Sequence, residues 1–490
     1  LTLDQGKTNP QGRRPVTRFR PDPDSLAAHA APAWWRDAKL GVMIHWGLYS
    51  VPAWAPRGSD IIALLRERPD DALSLTPYAE WYENSLKFRD GPTASRHRRR
   101  WEGRPYADFR GAFEAGLNGW DPGALLDLVA ASGAGYLIPV TKHHDGYCLW
   151  PARTPHPARP GWHAPRDLIG EMATGARARG LRFGVYYSGG LDWTLNAAPI
   201  ANLAEMRAAL PTGEAARALI LGHYRELVAR YDPDILWNDI GYPDADDLWG
   251  LVADFYNGRA DRLINDRFQL PDERSAALAD PAARAALNRA VAQAMATPGF
   301  AFAPSLPPVF DHRTPEYAAH AGSEHPWETV RGIGHSFGYN QDETAADHLS
   351  GAALIRLFVA VVGDGGNLLI NLGPRADGSI PEDQARPLRA LGDWLARHGA
   401  AVRATRPVPG APRFDLDGAP ARIVQAGGRR FMLLAGPAPT GERRLPLGAR
   451  AESLRTVDGR GLPCRRDGVD LLVTFPEASA AEDASAFEVL

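Results

Sequence analysis

The stretch Tyr136-Leu137-Ile138-Pro139-Val140-Thr141-Lys142-His143-His144-Asp145 is an apolar run that stops in two imidazoles and a carboxylate. Its apolar part, Tyr136 to Thr141, is too short for a helix and predicts a strand, which puts the polar cluster at the strand's carboxyl end. The same texture recurs along the chain. Leu40 to His45, Arg182 to Tyr187, Ile235 to Asp239, Leu263 to Asp266, a poorly marked stretch near Phe300 to Phe310, Ile333 to Phe337 and Asn367 to Leu372 read as further strands. Helical periodicity fills the intervals at Pro122 to Ser132, Arg166 to Arg179, Ala215 to Arg230 and Ala345 to Val362. Such alternation predicts the α/β class and a (β/α)8-type barrel.

Polar and aromatic residues gather at the carboxyl ends of these strands, where a barrel builds its site from the βα loops. The clusters are His45-Trp46, His143-His144-Asp145, Tyr187-Ser188, Trp237-Asn238-Asp239, Asp266-Arg267 and Phe337-Gly338-Tyr339-Asn340. A doubly wound open sheet would also put polar groups there, but its Gly-rich first turn is missing. After a helix at Glu382 to Arg397 the texture changes at Arg406-Pro407-Val408-Pro409-Gly410, which reads as a linker. Beyond it, Ile423 to Gln425 and Phe431 to Leu434 flank Gly427-Gly428 as a hairpin, and Val469 to Phe475 follows Asp467-Gly468 as another strand. The expected organisation is an N-terminal extension (1–33), a catalytic barrel (34–404) and a small C-terminal β-sandwich (405–490).

A chain of 490 residues exceeds what one core usually serves, in keeping with that division. The net charge of −3 gathers neither phosphates nor anionic lipid, so nucleic acid and membrane surface are not expected partners. Two cysteines, Cys148 and Cys464, exclude a disulfide framework. Leu1 to Arg20 lack the apolar centre of a secretory signal and no Asn-x-Ser/Thr acceptor occurs, so the expected location is cytoplasmic.

Asp239 ends an apolar strand behind Trp237-Asn238, which sets a carboxylate with an aromatic wall where the barrel opens. Glycosidic bonds are commonly broken by two carboxyl groups on opposite sides of the bond. The pair His143 and His144 admits three readings. As metal ligands with Asp145 they need a further ligand that no His-x-x-x-His supplies. They are otherwise core residues, or neutral donors and acceptors for sugar hydroxyls. Trp46, Trp81, Tyr187, Trp237 and Phe337 recur at the same loops, and aromatic faces beside polar groups favour a carbohydrate ligand.

On these residues the sequence resembles the α-L-fucosidases of glycoside hydrolase family 29. The matching stretches include Lys39 to Pro52, Glu80-Trp81-Tyr82, Thr141 to Gly146, Gly184 to Ser188, Leu236 to Asp239, Asn265-Asp266-Arg267, Thr314-Pro315-Glu316-Tyr317 and Gly334 to Asn340, with Trp327-Glu328 between the last two. They run in the family's order from about 34 to 375. The resemblance implies a retaining exo-α-L-fucosidase acting on fucosylated oligosaccharides or glycoconjugates, with no metal and no cofactor. It implies Asp239 as nucleophile and Glu316 as general acid/base. It also implies a fucose site lined by His45, Glu80, Trp81, His143, His144, Tyr187, Trp237, Arg267 and Phe337. Phe337 and a Trp would bury the fucose methyl for about 1 kcal/mol.

One departure concerns Asp272 to Pro298, an Ala-rich helical segment that lengthens the path from Arg267 to Glu316 and is expected to wall the leaving-group site. Glu273, Glu324 and Glu328 rival Glu316 as acid/base. A related-sugar glycosidase, a carbohydrate-binding protein on a decayed barrel and a metal-dependent hydrolase using His143, His144 and Asp145 remain as alternatives.

Overall fold

The computed structural model of the chain describes residues 18–490 apart from 59, 297–305, 318–322, 450 and 478–482, and the backbone alone of 273 and 274. Part of the expected N-terminal extension and of the strand expected near Phe300 to Phe310 therefore lies outside the described residues. Strands β1 (Leu40–Ile44), β2 (Tyr136–Lys142), β3 (Arg182–Ser188), β4 (Ile235–Asp239), β5 (Leu263–Ile264), β6 (Glu328–Gly332) and β7 (Asn367–Leu372) form one parallel sheet in the order β5-β4-β3-β2-β1-β7-β6. The sheet curls into a (β/α)8-type barrel. Helices Gly123–Ala131, Leu168–Ala178, Glu214–Tyr231, Ala245–Gly258 and Gly351–Gly363 connect the strands, and no described helix is long and apolar enough to cross a membrane.

Residue parity sorts the strands into two layers. Val42, Leu137, Phe183, Val185, Tyr187, Leu236 and Ile370 pack outward under the helices. Met43, Tyr136, Ile138, Val140, Tyr186, Ile235, Trp237, Val330 and Leu369 fill the barrel. Pro139 has no N–H for a ladder, and the pairing of β2 with β3 shifts register just beyond it, between Val140 and Lys142.

Two strand expectations change. Ile333 to Phe337 is loop, and the strand is the preceding Glu328–Gly332, where the polar letters Glu328, Thr329 and Arg331 disguise a buried element. The place between β5 and β6 is taken by residues 312–316, which pair through single bridges, Asn265 with His312, Arg313 with Trp327 and Glu316 with Val330. The expected linker is also corrected. Arg406–Pro407 (β8) pairs with Ala419–Ala426 (β10), and Arg406 Nη2 meets Asp37 Oδ1 at 2.7 Å, so the chain passes straight into the second unit.

That unit is the C-terminal β-sandwich. Phe414–Leu416 (β9), Arg429–Leu434 (β11), Leu454–Thr456 (β13) and Ser485–Val489 (β16) join β8 and β10, and Gly441–Leu445 (β12), Cys464–Asp467 (β14) and Asp470–Phe475 (β15) make the second sheet. The expected hairpin is β10 and β11. Gly427 and Gly428 both have positive φ, 55° and 79°, as a two-residue turn of this twist requires. The cysteines are both free.

The barrel floor holds the site's foundation. Glu328 accepts the Tyr136 hydroxyl (2.7 Å) and Trp237 Nε1–H (3.1 Å), and lies 3.2 Å from His312 Nε2. Gly41 leaves room for the Tyr136 ring, since a Cβ there would fall 2.1 Å from a ring carbon. Gly41→Ala should therefore lower stability by roughly 1–3 kcal/mol through overpacking. Urea unfolding measures it, and an unshifted midpoint would show that the floor can yield.

Candidate active site

On β4 the inward face carries Ile235, Trp237 and Asp239, while Asn238 turns outward and anchors the strand end. Its Nδ2 donates to the carbonyls of Gly241 (2.9 Å) and Arg267 (2.7 Å), and its Oδ1 accepts the Tyr224 hydroxyl (2.6 Å). Arg267, just past β5, is thereby tied to β4. Its Nη1 reaches Asp239 Oδ1 at 3.0 Å and its Nη2 reaches Glu316 Oε1 at 2.6 Å, so one guanidinium bridges two carboxylates. Burial opposes the charge of Arg267, but Glu316 and Asp239 outweigh it and hold the group above its ordinary range.

Asp266 sets the third member of this cluster. Its Oδ1 accepts the Thr314 N–H (3.1 Å) and the Thr314 hydroxyl (2.6 Å). Thr314 in turn accepts Arg267 Nε–H on its hydroxyl (2.9 Å) and Nη2–H on its carbonyl (3.1 Å). The chain turns sharply after each acid, with φ of +63° at Ile240 and +52° at Tyr317. Such backbone costs on the order of 1–3 kcal/mol per residue, and it is rarest for a β-branched side chain such as Ile240. Gly190 permits the first turn. Its N–H donates to the Asp239 carbonyl at 3.0 Å, and a Cβ at that position would lie 2.2 Å from the Ile240 oxygen.

The histidines are neutral, and their neighbours decide which nitrogen bears the proton. Asn371 donates its Nδ2–H to the Phe337 carbonyl (2.7 Å), leaving Oδ1 to accept His45 Nδ1–H (2.6 Å). Ser188 donates its hydroxyl to the Leu191 carbonyl (2.7 Å), so its oxygen accepts His144 Nδ1–H (2.6 Å). Both rings then carry a lone pair on Nε2. Burial lowers His45 to about 4, and it also takes His143 and His144 well below the ordinary histidine range. Glu80 moves the other way: burial lifts it to about 7, against the bonds it accepts from Gly338 N–H (2.7 Å) and the Ser336 hydroxyl (3.3 Å).

Tyr186 stacks on Trp237 (5.3 Å between centroids) and donates its hydroxyl to Asp239 Oδ2 at 2.6 Å. Trp81 meets His144 edge-on, and Phe337 contacts His45 and Tyr78. These groups surround one pocket that opens to solvent, with about 770 Å³ of empty space when the open part is included. His45, Glu80, Trp81, His143, His144, Trp237, Asp239, Arg267, Glu316 and Phe337 all line it.

Tyr187 does not, and its expected place in the sugar site is corrected. It lies on the outward face of β3, its hydroxyl 3.0 Å from His223 Nδ1 and Lys142 Nζ over its ring. Tyr186, one residue earlier, occupies the inward place. The missed signal was parity: Tyr186 pairs in register with inward Trp237, whereas Tyr187 shares its face with Phe183 and Val185. Tyr78, Met43 and Ile240 also line the pocket without having been singled out.

The rivals of Glu316 lie elsewhere. Glu328 is fully buried in the floor, and Glu324 sits with Trp35 and Lys39 at the opposite end of β1. The Glu273 side chain lies outside the described residues. Asp145 turns away from the two histidines, accepting the Tyr106 hydroxyl (2.8 Å) and the Tyr147 N–H (3.1 Å). Among the described residues no three His, Cys, Asp or Glu side chains converge as a metal centre would.

A barrel whose carboxyl end holds a carboxylate pair in an aromatic, acceptor-rich pocket defines a glycoside hydrolase. Comparison with known proteins agrees. The sequence profile described as alpha-L-fucosidase matches residues 8–400, and the chain belongs to that family. It is 29% identical to bovine tissue alpha-L-fucosidase over 419 residues, 82% of this chain and 75% of that protein. Human plasma alpha-L-fucosidase is also 29% identical, over 80% of this chain and 73% of its own length. Among solved structures, the Thermotoga maritima alpha-fucosidase superposes with a TM-score of 0.80 at 34% identity, covering 96% of this chain and all of that one.

Tyr186→Phe removes a hydrogen bond to a carboxylate, and kcat/KM on an aryl α-L-fucoside should fall roughly tenfold to a hundredfold. Tyr187→Phe should stay close to wild type on the same substrate, and equal losses would contradict the assignment of faces. Glu80 supplies a pH test. Its value of about 7 in the fold exceeds the 4.5 of the unfolded chain, so the fold binds the extra proton between these values. Its contribution is fully present below about pH 4.5 and is lost as pH rises through 7. Thermal melting of wild type and Glu80→Gln from pH 4 to 8 should show wild type losing ground to the variant over that window. A constant gap would mean that the fold does not raise Glu80 above its unfolded value.

Proposed function

We propose that this α-L-fucosidase removes terminal α-L-fucosyl groups from glycans or glycoconjugates with retention, through a covalent fucosyl-enzyme intermediate on Asp239. The observation that carries the reading is the Arg267 bridge, which holds Asp239 and Glu316 in one pocket with a single cation between them. In the first step an Asp239 oxygen forms a bond to the anomeric carbon as the bond to the leaving oxygen breaks, and Glu316 gives that oxygen a proton. In the second, Glu316 takes a proton from water, the water oxygen bonds to the anomeric carbon, and the Asp239 carboxylate departs. Two inversions restore the α configuration.

The remaining polar groups suit an uncharged polyol. His45 and His144 offer lone pairs on Nε2, and Glu80 offers a carboxyl group, so the closed end of the pocket is rich in acceptors for hydroxyl donors. His144 Nε2 stands 4.0 Å from Asp239 Oδ2, too far for a hydrogen bond and suited to a sugar hydroxyl between them. Met43 and Phe337 supply apolar surface for the fucose methyl. The Thermotoga maritima enzyme has been solved with fucose and with a mechanism-based inhibitor, which supports the same reading by similarity.

Asp239→Gly should abolish turnover with the fold intact, and azide should restore part of the rate while forming β-fucosyl azide. Near-normal activity without azide would remove Asp239 from the mechanism. With wild type, proton NMR should detect α-fucose as the first product, and initial β-fucose would exclude retention.

A further inference from the structure

None of the described residues of Asp272 to Pro298 lines the pocket, which corrects the expected role of that segment. The sugar end depends instead on the loop from Ile333 to Asn340, which follows β6 and serves the site in three ways. Gly338 N–H (2.7 Å) and the Ser336 hydroxyl (3.3 Å) hold Glu80 Oε2. The Phe337 carbonyl accepts Asn371 Nδ2–H, and the same amide's Oδ1 orients His45. The Phe337 ring itself lines the pocket.

This loop belongs to no strand, so something other than a ladder must fix its backbone. The grip comes from Glu343, which does not line the pocket. Its Oε1 accepts the N–H groups of His335 (3.0 Å) and Ser336 (2.9 Å), and its Oε2 lies 3.1 Å from His348 Nε2. The side chains of Glu343 and His348 are only 4% and 8% exposed, so water has little room to replace the carboxylate. Gly334 permits the approach, since a Cβ there would fall 2.1 Å from Glu343 Oε2. Behind the loop, Leu349 N–H donates to the Ile333 carbonyl (2.8 Å), and Arg57 pairs with Asp347 (2.6 Å), so the segment that carries Glu343 is itself held in place.

We infer that Glu343 is a positioning residue for the fucosidase reaction: without touching the sugar, it fixes the loop that presents Phe337 to the methyl group and Ser336 and Gly338 to Glu80. The inference rests on the fucosidase reading of the site. Two aryl glycosides test it, the α-L-fucoside and the β-D-arabinopyranoside, which offers the same ring without the methyl. Melting curves set an assay temperature at which each variant is fully folded. Glu343→Ala should then lower kcat/KM on the fucoside roughly tenfold to a hundredfold, the scale on which displaced positioning groups act. It should lose at least about threefold more on the fucoside than on the arabinoside, because burying one methyl supplies roughly fourfold. Glu343→Gln keeps an oxygen for both N–H groups and should restore the wild-type ratio of the two substrates. Should Glu343→Ala not fold, Glu343→Asp, shorter by one methylene, takes its place with the same expectation. Wild-type rates in the folded variant, equal losses on both substrates, or a glutamine as impaired as the alanine would overturn the inference and leave the fucosidase reading intact. A wild-type enzyme inactive on every α-L-fucoside would overturn that reading itself.

Discussion

Two carboxylates cannot share a buried pocket unless something compensates their repulsion, and here that is the guanidinium of Arg267. Its fork places one nitrogen on Asp239 and the other on Glu316, a geometry that a lysine's single ammonium could not reproduce. Much of the nearby structure constrains that fork. Asn238 ties the Arg267 backbone to β4, Thr314 takes Nε and Nη2, and Asp266 holds Thr314 by backbone and side chain alike. Trp237, itself fixed by Glu328 in the floor, lies under the guanidinium with the cation 4.7 Å from the ring. In the mechanism proposed above, Asp239 would lose its charge as the intermediate forms while Glu316 would give up its proton and gain a charge, so the cation would exchange one ionic partner for the other.

Burial does opposite things to the acids and bases around this cation, and both results suit the neutral sugar proposed as substrate. Imidazoles lose their protons, which turns His45 and His144 into acceptors whose tautomers are set by Asn371 and Ser188. Glu80 is pushed towards its protonated form, in which one oxygen can donate. A pocket of this kind offers no net positive charge beyond Arg267, already committed to two carboxylates. Anionic ligands therefore have little to attract them, which separates this site from phosphate-binding sites on similar barrels.

Much of this was legible in the chain because the barrel writes its site at strand ends. His45, His143, His144, Asp239 and Arg267 each follow an apolar run, and the pattern needs no knowledge of their neighbours. What failed did so where local texture and tertiary role diverge. Glu328 and Arg331 gave β6 the look of a loop, although Glu328 is polar for a buried purpose, receiving Tyr136 and Trp237. Tyr186 and Tyr187 are the same letter, and only the parity of β3 against β4 distinguishes them. Arg406 to Gly410 had the composition of a linker, yet two of its residues are a strand because the adjoining sheet edge and Asp37 were available to pair with them.

Glu316 was the hardest residue to place from sequence, and the reason is structural. It sits where the barrel's remaining strand belongs, on a segment that pairs by isolated bridges instead of a continuous ladder. Without a ladder there is no run of alternating apolar residues, so nothing in the local pattern announces a strand end. Its position is set instead by side chains distant in sequence, chiefly Asp266 acting through Thr314, and by the turn at Tyr317. Such an arrangement frees the preceding chain to lengthen. The helices Glu273–Ala277 and Pro281–Met295 lie on the path between Arg267 and Thr314, and the bonds from Arg267 Nε and Nη2 to Thr314 close that loop at its base. Asn288 on the second helix in turn accepts the Ala204 N–H and donates to Asp70, so the excursion is fixed to the rest of the fold at its far end as well as at its base.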